Sequence, residues 1–159
     1  MTDANPSFPT WLSSWMKAQS IHLWGVADLR EFSTPLDNTG QRYPSAISMA
    51  MAMDPQIMAA IQKGPNQNYA DEYTRVNLRI NKLSVNLATE IKKRGYRALP
   101  LEASERTDTI HIKGDFPHKT VATRAGIGWI GRHCQLITRE FGPWVRLGTV
   151  FTDMILPFG

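Results

Sequence analysis

The sequence has 159 residues, of which 42% are hydrophobic and 20% are charged, as is usual for a globular protein. This length predicts one domain that buries about two thirds of its unfolded surface. The formal net charge of +4 permits an anionic partner such as RNA. No apolar run approaches the roughly 20 residues of a membrane span, and the N-terminus has no secretory signal pattern. We therefore expect a cytoplasmic protein without a membrane partner.

The cysteine content limits the redox chemistry of the chain. Cys134 is the one cysteine, which excludes an internal disulfide. It also excludes an iron–sulfur cluster held by this chain alone, because such clusters are usually held by four thiolates. The CxxC, HExxH and paired-histidine patterns are missing from the sequence, so we assign no metal ligands. The GxxxxGK[ST] phosphate loop and the GxSxG nucleophile elbow are missing too, which argues against nucleotide and serine hydrolases.

The first third of the sequence predicts a tail, a helix and two strands. Residues 1–9 contain two prolines and little pattern, and we expect a flexible tail there. Thr10 is a suitable cap for a helix over residues 11–19, and residues 21–27 are strand-like. Residues 46–53, AISMAMAM, alternate large apolar side chains with Ala and Ser. This alternation favours a buried strand whose small residues face a helix, and the alternative is a methionine-rich cofactor segment.

The longest predicted helix covers residues 69–94. Its apolar residues recur every three or four positions, which predicts one buried stripe. The stripe consists of Tyr69, Tyr73, Val76, Ile80, Leu83, Leu87 and Ile91. Basic residues at the end of the segment suit the helix dipole, and Gly95 supplies the stop. Asp54 and Pro55 predict a short helix before it. We interpret the long helix as a scaffold that packs against a sheet.

A glycine-rich segment follows a second, shorter helix near the end of the chain. Residues 118–125 contain no helix breaker, and we expect this helix to end at Gly126, because glycine readily adopts the left-handed conformation found at helix ends. Gly126, Gly128 and Gly131 are separated by large apolar side chains. Clustered glycines usually mark a strained turn or a close approach of the backbone. The spacing therefore predicts a tight, buried turn.

The remaining strand candidates are short. Residues 97–101 and 109–112 are predicted strands around a charged loop. Residues 134–138 and 145–152 are predicted to pair with each other as a β-hairpin, with a turn at residues 141–143. The helix, the glycine turn and this hairpin together resemble the wall of a cofactor pocket.

The same block resembles a known family. The segment AGIGWIGR, followed by QLIT and EFGPWVRLGTVFTD, is similar to the cofactor-domain block of the epoxyqueuosine reductases and their shorter iron–sulfur relatives. The resemblance is dense over residues 118–153, and weaker similarity extends back to Tyr43. It implies a domain distantly similar to nitroreductases. We therefore expect an α/β (α+β) fold with a mixed β-sheet of about five strands flanked by helices.

The resemblance also implies a cofactor and a source of electrons. In that family the domain holds a cobalamin, which is reduced through two four-iron four-sulfur clusters in a ferredoxin-like C-terminal domain. The cysteine motifs of that domain would begin just past Gly159. We therefore expect the electron-supplying domain to be missing here and an iron–sulfur domain or protein to be a partner. The implied reaction is reductive removal of oxygen, or of a similar leaving group, at a cobalt centre, and the implied substrate lies in a transfer RNA.

Gly126, Gly128 and Gly131 also match the GxGxxG dinucleotide fingerprint, and Asp153 follows at a suitable distance. That motif needs a strand before the glycines and a helix after them, and the predicted order here is the reverse. This order argues against a nicotinamide site. Two interpretations remain, in which the glycines either let the backbone approach another cofactor or form a packed turn without a ligand.

Two residues are candidates for the catalytic proton donor. His118 and Lys119 match the HK pair of the shorter relatives, and Lys119 at a helix start suits an anionic cofactor group. In the epoxyqueuosine reductases an aspartate a few residues before this helix is thought to donate a proton. Asp115 is the nearest carboxylate here, but its spacing to the helix differs, so His118 is the alternative donor. A capping role for His118 is equally compatible with the sequence.

The remaining candidates for cofactor contacts are aromatic or basic. Trp129 suits stacking on a planar ring, although a place in the core would leave the same pattern. Arg132 matches the basic residue that ends the glycine segment of the family. Arg146 alternates with apolar residues on a predicted strand and suits carboxamide or phosphate recognition. His133 and Cys134 are adjacent, so a strand would point them to opposite faces, which argues against a shared metal.

Two other functions are compatible with the sequence. One is a flavin-dependent reductase of the nitroreductase type, with FMN as cofactor. The other is a non-catalytic module that binds a corrinoid or a partner protein, which the lack of cysteine motifs favours.

Overall fold

The computed structural model describes residues 8–21, 23–60, 67–101, 118–132 and 136–158. In chain order its elements are α1 (Thr10–Ala18), β1 (Leu23–Asp28), β2 (Ser45–Ala52), α2 (Pro55–Ala59), α3 (Gln67–Lys93), β3 (Ala98–Leu101), α4 (His118–Arg124), β4 (Gly128–Ile130), β5 (Leu136–Thr138) and β6 (Val145–Thr152). Of the helices in these ranges, none combines the length and the apolar character needed to cross a membrane.

A four-stranded sheet with helices on both faces forms the centre of the molecule. Its strand order is β1-β2-β6-β3, and each neighbouring pair is antiparallel. One face packs against α1 and α3, and the other packs against α4. The predicted fold class, with helices flanking a β-sheet, is confirmed. The sheet differs in detail from the expected mixed sheet of about five strands, because its pairings are antiparallel and β4 and β5 form a separate two-stranded ribbon.

The predicted hairpin between residues 134–138 and 145–152 is wrong. β5 pairs with β4, whereas β6 pairs with β2 along one edge and with β3 along the other. β3 pairs with only Thr149–Thr152 of β6, so β5 is not displaced by β3; it pairs with β4 instead, where Gly128 lets the two backbones come close. The chain between β5 and β6 instead closes a tight turn, in which Thr138 and Gly142 exchange backbone hydrogen bonds of 2.8 and 2.9 Å.

The alternation of large and small residues in β2 corresponds to two different packed faces, as the sequence predicts. Ile47 and Met49 pack in the core under α3, while Ala46 and Ala50 pack in the core under α4. These four side chains are buried. The strand is therefore covered on both faces, and its small residues leave room for α4, as expected of a buried strand.

The long helix α3 is confirmed as the scaffold. Its buried residues include the predicted stripe from Val76 to Ile91, and Gly95 follows it with a φ of 91°. At Asp54 the carboxylate accepts a hydrogen bond of 2.8 Å from the backbone N–H of Gln56, so the predicted cap of α2 is also confirmed.

Details at the start of the chain differ from the expectations. α1 starts at Thr10 itself, and Pro9 occupies the cap position without a side-chain hydrogen bond. Phe8, at the end of the expected tail, packs on Trp24 with a ring separation of 4.7 Å. Residues 1–7 and the predicted strand at residues 109–112 lie outside the described residues.

The closest approach of α3 to the sheet occurs at Gly148 of β6. A Cβ atom at this position would lie 2.7 Å from Ser84 Oγ and 2.8 Å from Ile80 Cγ1. Ser84 is itself fixed, because its hydroxyl donates a hydrogen bond of 2.8 Å to the backbone oxygen of Ile80. The absence of a side chain at position 148 therefore sets the distance between α3 and β6.

We predict that Gly148→Ala lowers the free energy of unfolding by about 1–3 kcal/mol, because the added methyl group overpacks this contact. Ile80→Ala alone should cost about 2–5 kcal/mol as a buried truncation. In the double variant the additional cost of Gly148→Ala should shrink, because the clash with Ile80 Cγ1 is gone and only the clash with Ser84 Oγ remains. Urea denaturation of the four proteins measures this coupling, and strictly additive costs would contradict the close approach.

Candidate functional site

The helix α4 ends in a glycine cap that directs the chain into the ribbon. The Gly126 N–H donates to the oxygen of Thr123 at 3.2 Å, and the Ile127 N–H donates to the oxygen of Ala122 at 3.0 Å. Gly126 has a φ of 79°. This pair of bonds with a left-handed glycine is the Schellman arrangement, and the apolar residue that follows the glycine, Ile127, is buried as is usual for it. The predicted helix stop at Gly126 is confirmed.

Gly128 allows the two strands of the ribbon to approach each other. A Cβ atom there would lie 2.3 Å from the backbone oxygen of Ile137, which is too close for any side chain. The residues after it do not form the buried turn expected from the sequence. Trp129 and Ile130 belong to β4 and are 51% and 46% exposed. They are exposed because a two-stranded ribbon cannot cover both of its own faces, and consecutive residues of a strand point to opposite faces.

The predicted order of the elements around the glycines is confirmed. The helix α4 precedes all three glycines and the strand β4 starts at Gly128, the reverse of the dinucleotide motif. The carboxylate of Asp153 has a structural partner, because it accepts hydrogen bonds from the backbone N–H of Arg97 at 2.8 Å and from the Arg97 side chain at 3.0 Å.

An open hollow lies between the exposed side of α4 and the ribbon. It has a volume of about 190 Å³ and is lined by Lys119, Thr120, Thr123, Arg124 and Ile130. Lys119 thus lies in the same hollow as one exposed apolar residue of β4. Because side chains alternate along β4, Trp129 lies on the opposite face of the ribbon.

His118 is the first residue of α4 and reaches down to the central sheet. Its Nδ1 atom is 2.8 Å from Oγ1 of Thr149, a fully buried residue of β6. The histidine is partly buried. The two members of the HK pair therefore lie in different surroundings, His118 against the sheet and Lys119 at the surface.

Arg146 lies on the other face of the sheet. Its Nε donates a hydrogen bond of 2.6 Å to Oδ1 of Asn77 on α3, and its guanidinium lies 4.2 Å from the ring centre of Tyr73. The neighbouring Val145 and Leu147 point towards α4 instead. The structure therefore does not bring Arg146 together with Lys119 and the glycine segment, and its visible contacts tie β6 to α3.

The other candidates divide between the surface and the undescribed part of the chain. Gly131 is partly buried and Arg132 is exposed directly after β4. Asp115, His133 and Cys134 lie outside the described residues. Within the described ranges, no three His, Cys, Asp or Glu side chains come together as a metal site.

A basic surface beside α4 was not predicted from the sequence. The guanidinium of Arg124 lies 4.7 Å from the ring centre of Phe32. Phe32 also lines a second hollow of about 180 Å³ with Arg30 and Arg42 among its other residues. Arg124, which lines the first hollow, therefore contacts Phe32, which lines the second. The sequence signal was the presence of arginines and a phenylalanine in residues 28–45, between the first two predicted strands.

Local ion pairs fix this loop in place. Asp28 accepts hydrogen bonds of 2.8 and 2.5 Å from the Arg30 side chain, which chiefly account for the lowering of the Asp28 pKa to about 2. Asp37 accepts a bond of 2.6 Å from the Thr39 hydroxyl and is also paired with Arg97. The pKa of Asp37 is therefore well below its usual value, with the Thr39 hydrogen bond as the largest cause. Arg97 thus joins the loop, through Asp37, to Asp153 after β6.

The hollow beside α4 suits the edge of a large cofactor but does not enclose one. Pockets that enclose drug-sized ligands are usually about 300–1,000 Å³, and this hollow is open with about 190 Å³. A corrinoid carries amide and phosphate groups around an apolar ring. Lys119 and Arg124 match the polar edge and Ile130 matches the apolar face. The described residues therefore fit one wall of a corrinoid site.

The fold of this chain is similar to the folds of two kinds of solved reductase. A reductive dehalogenase described for B12-dependent dehalogenation matches 99% of this chain and 23% of its own, with a TM-score of 0.69 and 16% identity. An epoxyqueuosine reductase solved with an epoxyqueuosine-modified tRNA-Tyr stem loop matches 94% of this chain and 46% of its own, with a TM-score of 0.51 and 18% identity. The chain therefore has the α/β fold found in these two kinds of reductase.

Sequence similarity supports one of these two kinds of reductase, the epoxyqueuosine reductases. The chain is 40% identical to the epoxyqueuosine reductase of Bacillus cereus over 57 residues, or 36% of this chain and 14% of that protein. It is 29% identical to the epoxyqueuosine reductase of Pseudomonas aeruginosa over 105 residues, or 64% of this chain and 26% of that protein. No protein-family model matches the chain. The resemblance to epoxyqueuosine reductases is confirmed, and the chain spans about a quarter or less of the length of these relatives.

We predict that Gly128→Ala destabilises the ribbon more than Gly40→Ala, the same substitution at a glycine with a positive φ elsewhere. The methyl group would collide with the backbone of Ile137, whereas Gly40→Ala meets no atom within 4 Å and costs only the strain of a φ of 81°. That strain is worth about 1–2 kcal/mol. Hydrogen exchange should show faster exchange of the β4 and β5 amides in Gly128→Ala alone. Equal exchange in the two variants would contradict the steric role of Gly128.

Proposed function

We propose that this chain forms the corrinoid-facing part of an epoxyqueuosine-reductase-like oxidoreductase. The observation that carries the proposal is the sequence similarity to epoxyqueuosine reductases. The hollow beside α4, with Lys119 and Ile130 on its walls, provides a surface of suitable chemistry. Bound cobalamin would supply low-valent cobalt for the reductive removal of an oxygen or similar leaving group.

The roles of individual residues follow from their places in the fold. Lys119 and Arg124 would hold the amide or phosphate edge of the cofactor, and Ile130 would contact its ring. Arg132 and Trp129 extend this surface along the ribbon. The glycines at 126, 128 and 131 would act indirectly, by shaping the path from α4 into β4. Arg146 is left out of this set because it lies against α3.

His118 is the candidate for the residue that hydrogen-bonds or protonates the leaving group. It begins the same helix that carries Lys119, and the sheet holds its ring through Thr149. Asp115, the other candidate, lies outside the described residues.

The proposed activity requires electrons from an iron–sulfur domain or protein, because the chain has one cysteine. The alternative cofactor FMN gains no support from the similarities described above. The alternative of a non-catalytic binding module remains an outcome of the cofactor experiment.

The proposed substrate is a transfer RNA, as in the epoxyqueuosine reductase solved with a tRNA stem loop. On this chain, Arg30, Arg42 and Phe32 line the second hollow, beside the hollow that we assign to the cofactor. Basic side chains with an interleaved aromatic ring suit the phosphates and bases of RNA. Transfer RNA is found in the cytoplasm, and we propose that the chain acts there.

We predict that titration with hydroxocobalamin changes the visible spectrum of the cofactor with a saturable dependence on protein. Ile130→Asp should weaken binding about tenfold or more, which corresponds to about 1.4 kcal/mol, because it places a charge against an apolar ring. Lys82→Glu is the matched surface control, since Lys82 is exposed on α3 across the sheet. An unchanged cobalamin spectrum would contradict the cofactor proposal. A spectral change with FMN instead would favour the flavin alternative.

We predict that the chain binds a fluorescent tRNA anticodon stem loop with a strong salt dependence. Arg30→Ala and Arg42→Ala should each weaken binding and reduce the salt slope by about 1, because each removes one phosphate contact. Fluorescence anisotropy at several salt concentrations measures both quantities. Lys82→Ala is the control on the opposite side of the molecule. An equal loss in all three variants would indicate a general effect of charge and would contradict a defined RNA surface.

A further inference from the structure

Two buried hydroxyl groups lie beneath the start of α4. Ser48 of β2 and Thr149 of β6 are directly opposite each other in the antiparallel register, and both have no exposed surface. Alternation along the strands places Ser48 on the face of Ala46 and Ala50, which pack under α4. Thr149 is on this face too, because its Oγ1 lies 2.8 Å from Nδ1 of His118.

Ser48 has an unused hydrogen-bonding capacity. Its Oγ atom is buried and has no hydrogen-bond partner among the described residues. A buried hydroxyl without a partner costs free energy. Residues opposite each other in an antiparallel pair have Cβ atoms about 4.5–5.5 Å apart, and Thr and Ser in this relation form cross-strand hydrogen bonds. A Ser48 hydroxyl turned towards Thr149 would gain such a partner.

The number of available hydrogens indicates which group donates in the hydrogen bonds between Ser48, Thr149 and His118. A hydroxyl has one hydrogen to donate, and a neutral imidazole has one nitrogen that donates and one that accepts. If Ser48 donates to Thr149 and Thr149 donates to Nδ1, both hydroxyl hydrogens are used. If Nδ1 donates to Thr149 and Thr149 donates to Ser48, the hydrogen of the buried Ser48 lacks an acceptor among these three residues. The first direction satisfies more of the buried groups.

We propose that Ser48 and Thr149 are positioning residues that hold neutral His118 with its hydrogen on Nε2. Thr149 fixes the orientation of the ring through Nδ1, and Ser48 fixes the direction in which Thr149 donates. Together they make His118 a hydrogen-bond donor through Nε2 while the ring is neutral. The catalytic meaning of this arrangement rests on the proposed function, where it refines His118 from a proton donor to a hydrogen-bond donor at the leaving group. The tautomer itself does not depend on that function.

The test is nitrogen NMR of the protein labelled with ¹⁵N-histidine, in alkaline buffer where imidazole is neutral. The sequence has four histidines, and His118→Gln assigns the signals of His118 by their loss. We expect the wild-type signals to show a protonated Nε2 and a hydrogen-bonded, unprotonated Nδ1. A protonated Nδ1 in the wild-type protein would overturn the proposal. This reading needs no cofactor, so a failure to bind cobalamin leaves it intact.

Three variants separate positioning from a general effect on the fold. Thr149→Val keeps the shape of the side chain and removes its hydroxyl, so the Nδ1 signal should shift to that of a nitrogen without this hydrogen bond. Thr149→Ser should restore the wild-type signal. Ser48→Ala should let part of the hydrogen move to Nδ1, because the hydroxyl that fixes the direction of Thr149 is then missing. An unchanged Nδ1 signal in Thr149→Val, or a hydrogen that stays wholly on Nε2 in Ser48→Ala, would overturn the assignment. If Thr149→Val does not fold, the wild-type spectrum still decides the tautomer.

Discussion

The pairing of β6 on both of its edges is the constraint on which the rest of the structure depends. β2 and β3 hold β6 between them, so its two faces are the places where helices are added. On one face Gly148 lets α3 come close, and Arg146 reaches Asn77 of the same helix. On the other face Thr149 contacts His118 at the start of α4. One strand therefore fixes the scaffold helix and the helix of the candidate site relative to each other.

Those parts of the fold that depend on local periodicity could be predicted from the sequence. The stripe of α3 repeats every three or four residues and the alternation of β2 every two, and both patterns reflect burial against a neighbouring layer. The stop at Gly126 could be predicted because one residue type satisfies the backbone conformation required there. The pairing of β5 could not, because strand pairing joins segments distant in sequence and two short strands close together suggest a hairpin. β5 pairs instead with β4, where Gly128 has no side chain to keep the two backbones apart.

Only part of the candidate site could be predicted, because here too some neighbours in space are distant in sequence. Lys119 and the glycine segment are close in sequence and stay close in space, whereas Arg146 is directed to the other side of the sheet by the parity of its position on β6. The basic loop came into the site through contacts between distant residues. Arg97 binds Asp37 and Asp153, and Arg124 lies over Phe32, which brings two arginines of the loop beside α4. None of these contacts leaves a short-range pattern. The family resemblance indicated the correct block of sequence but gave no information on these neighbours.

The ribbon of β4 and β5 has a different mechanical character from the central sheet. A hairpin of two strands is marginally stable by itself in water, and this one is attached to the domain through the packing of Ile127 and Leu136 under α4. Its opening therefore breaks few contacts, whereas opening of the four-stranded sheet disrupts the whole core. The ribbon that carries Trp129 and Ile130 is thus more compliant than the central sheet. A planar ligand could bind by bending this ribbon, while the strands of the central sheet keep their register.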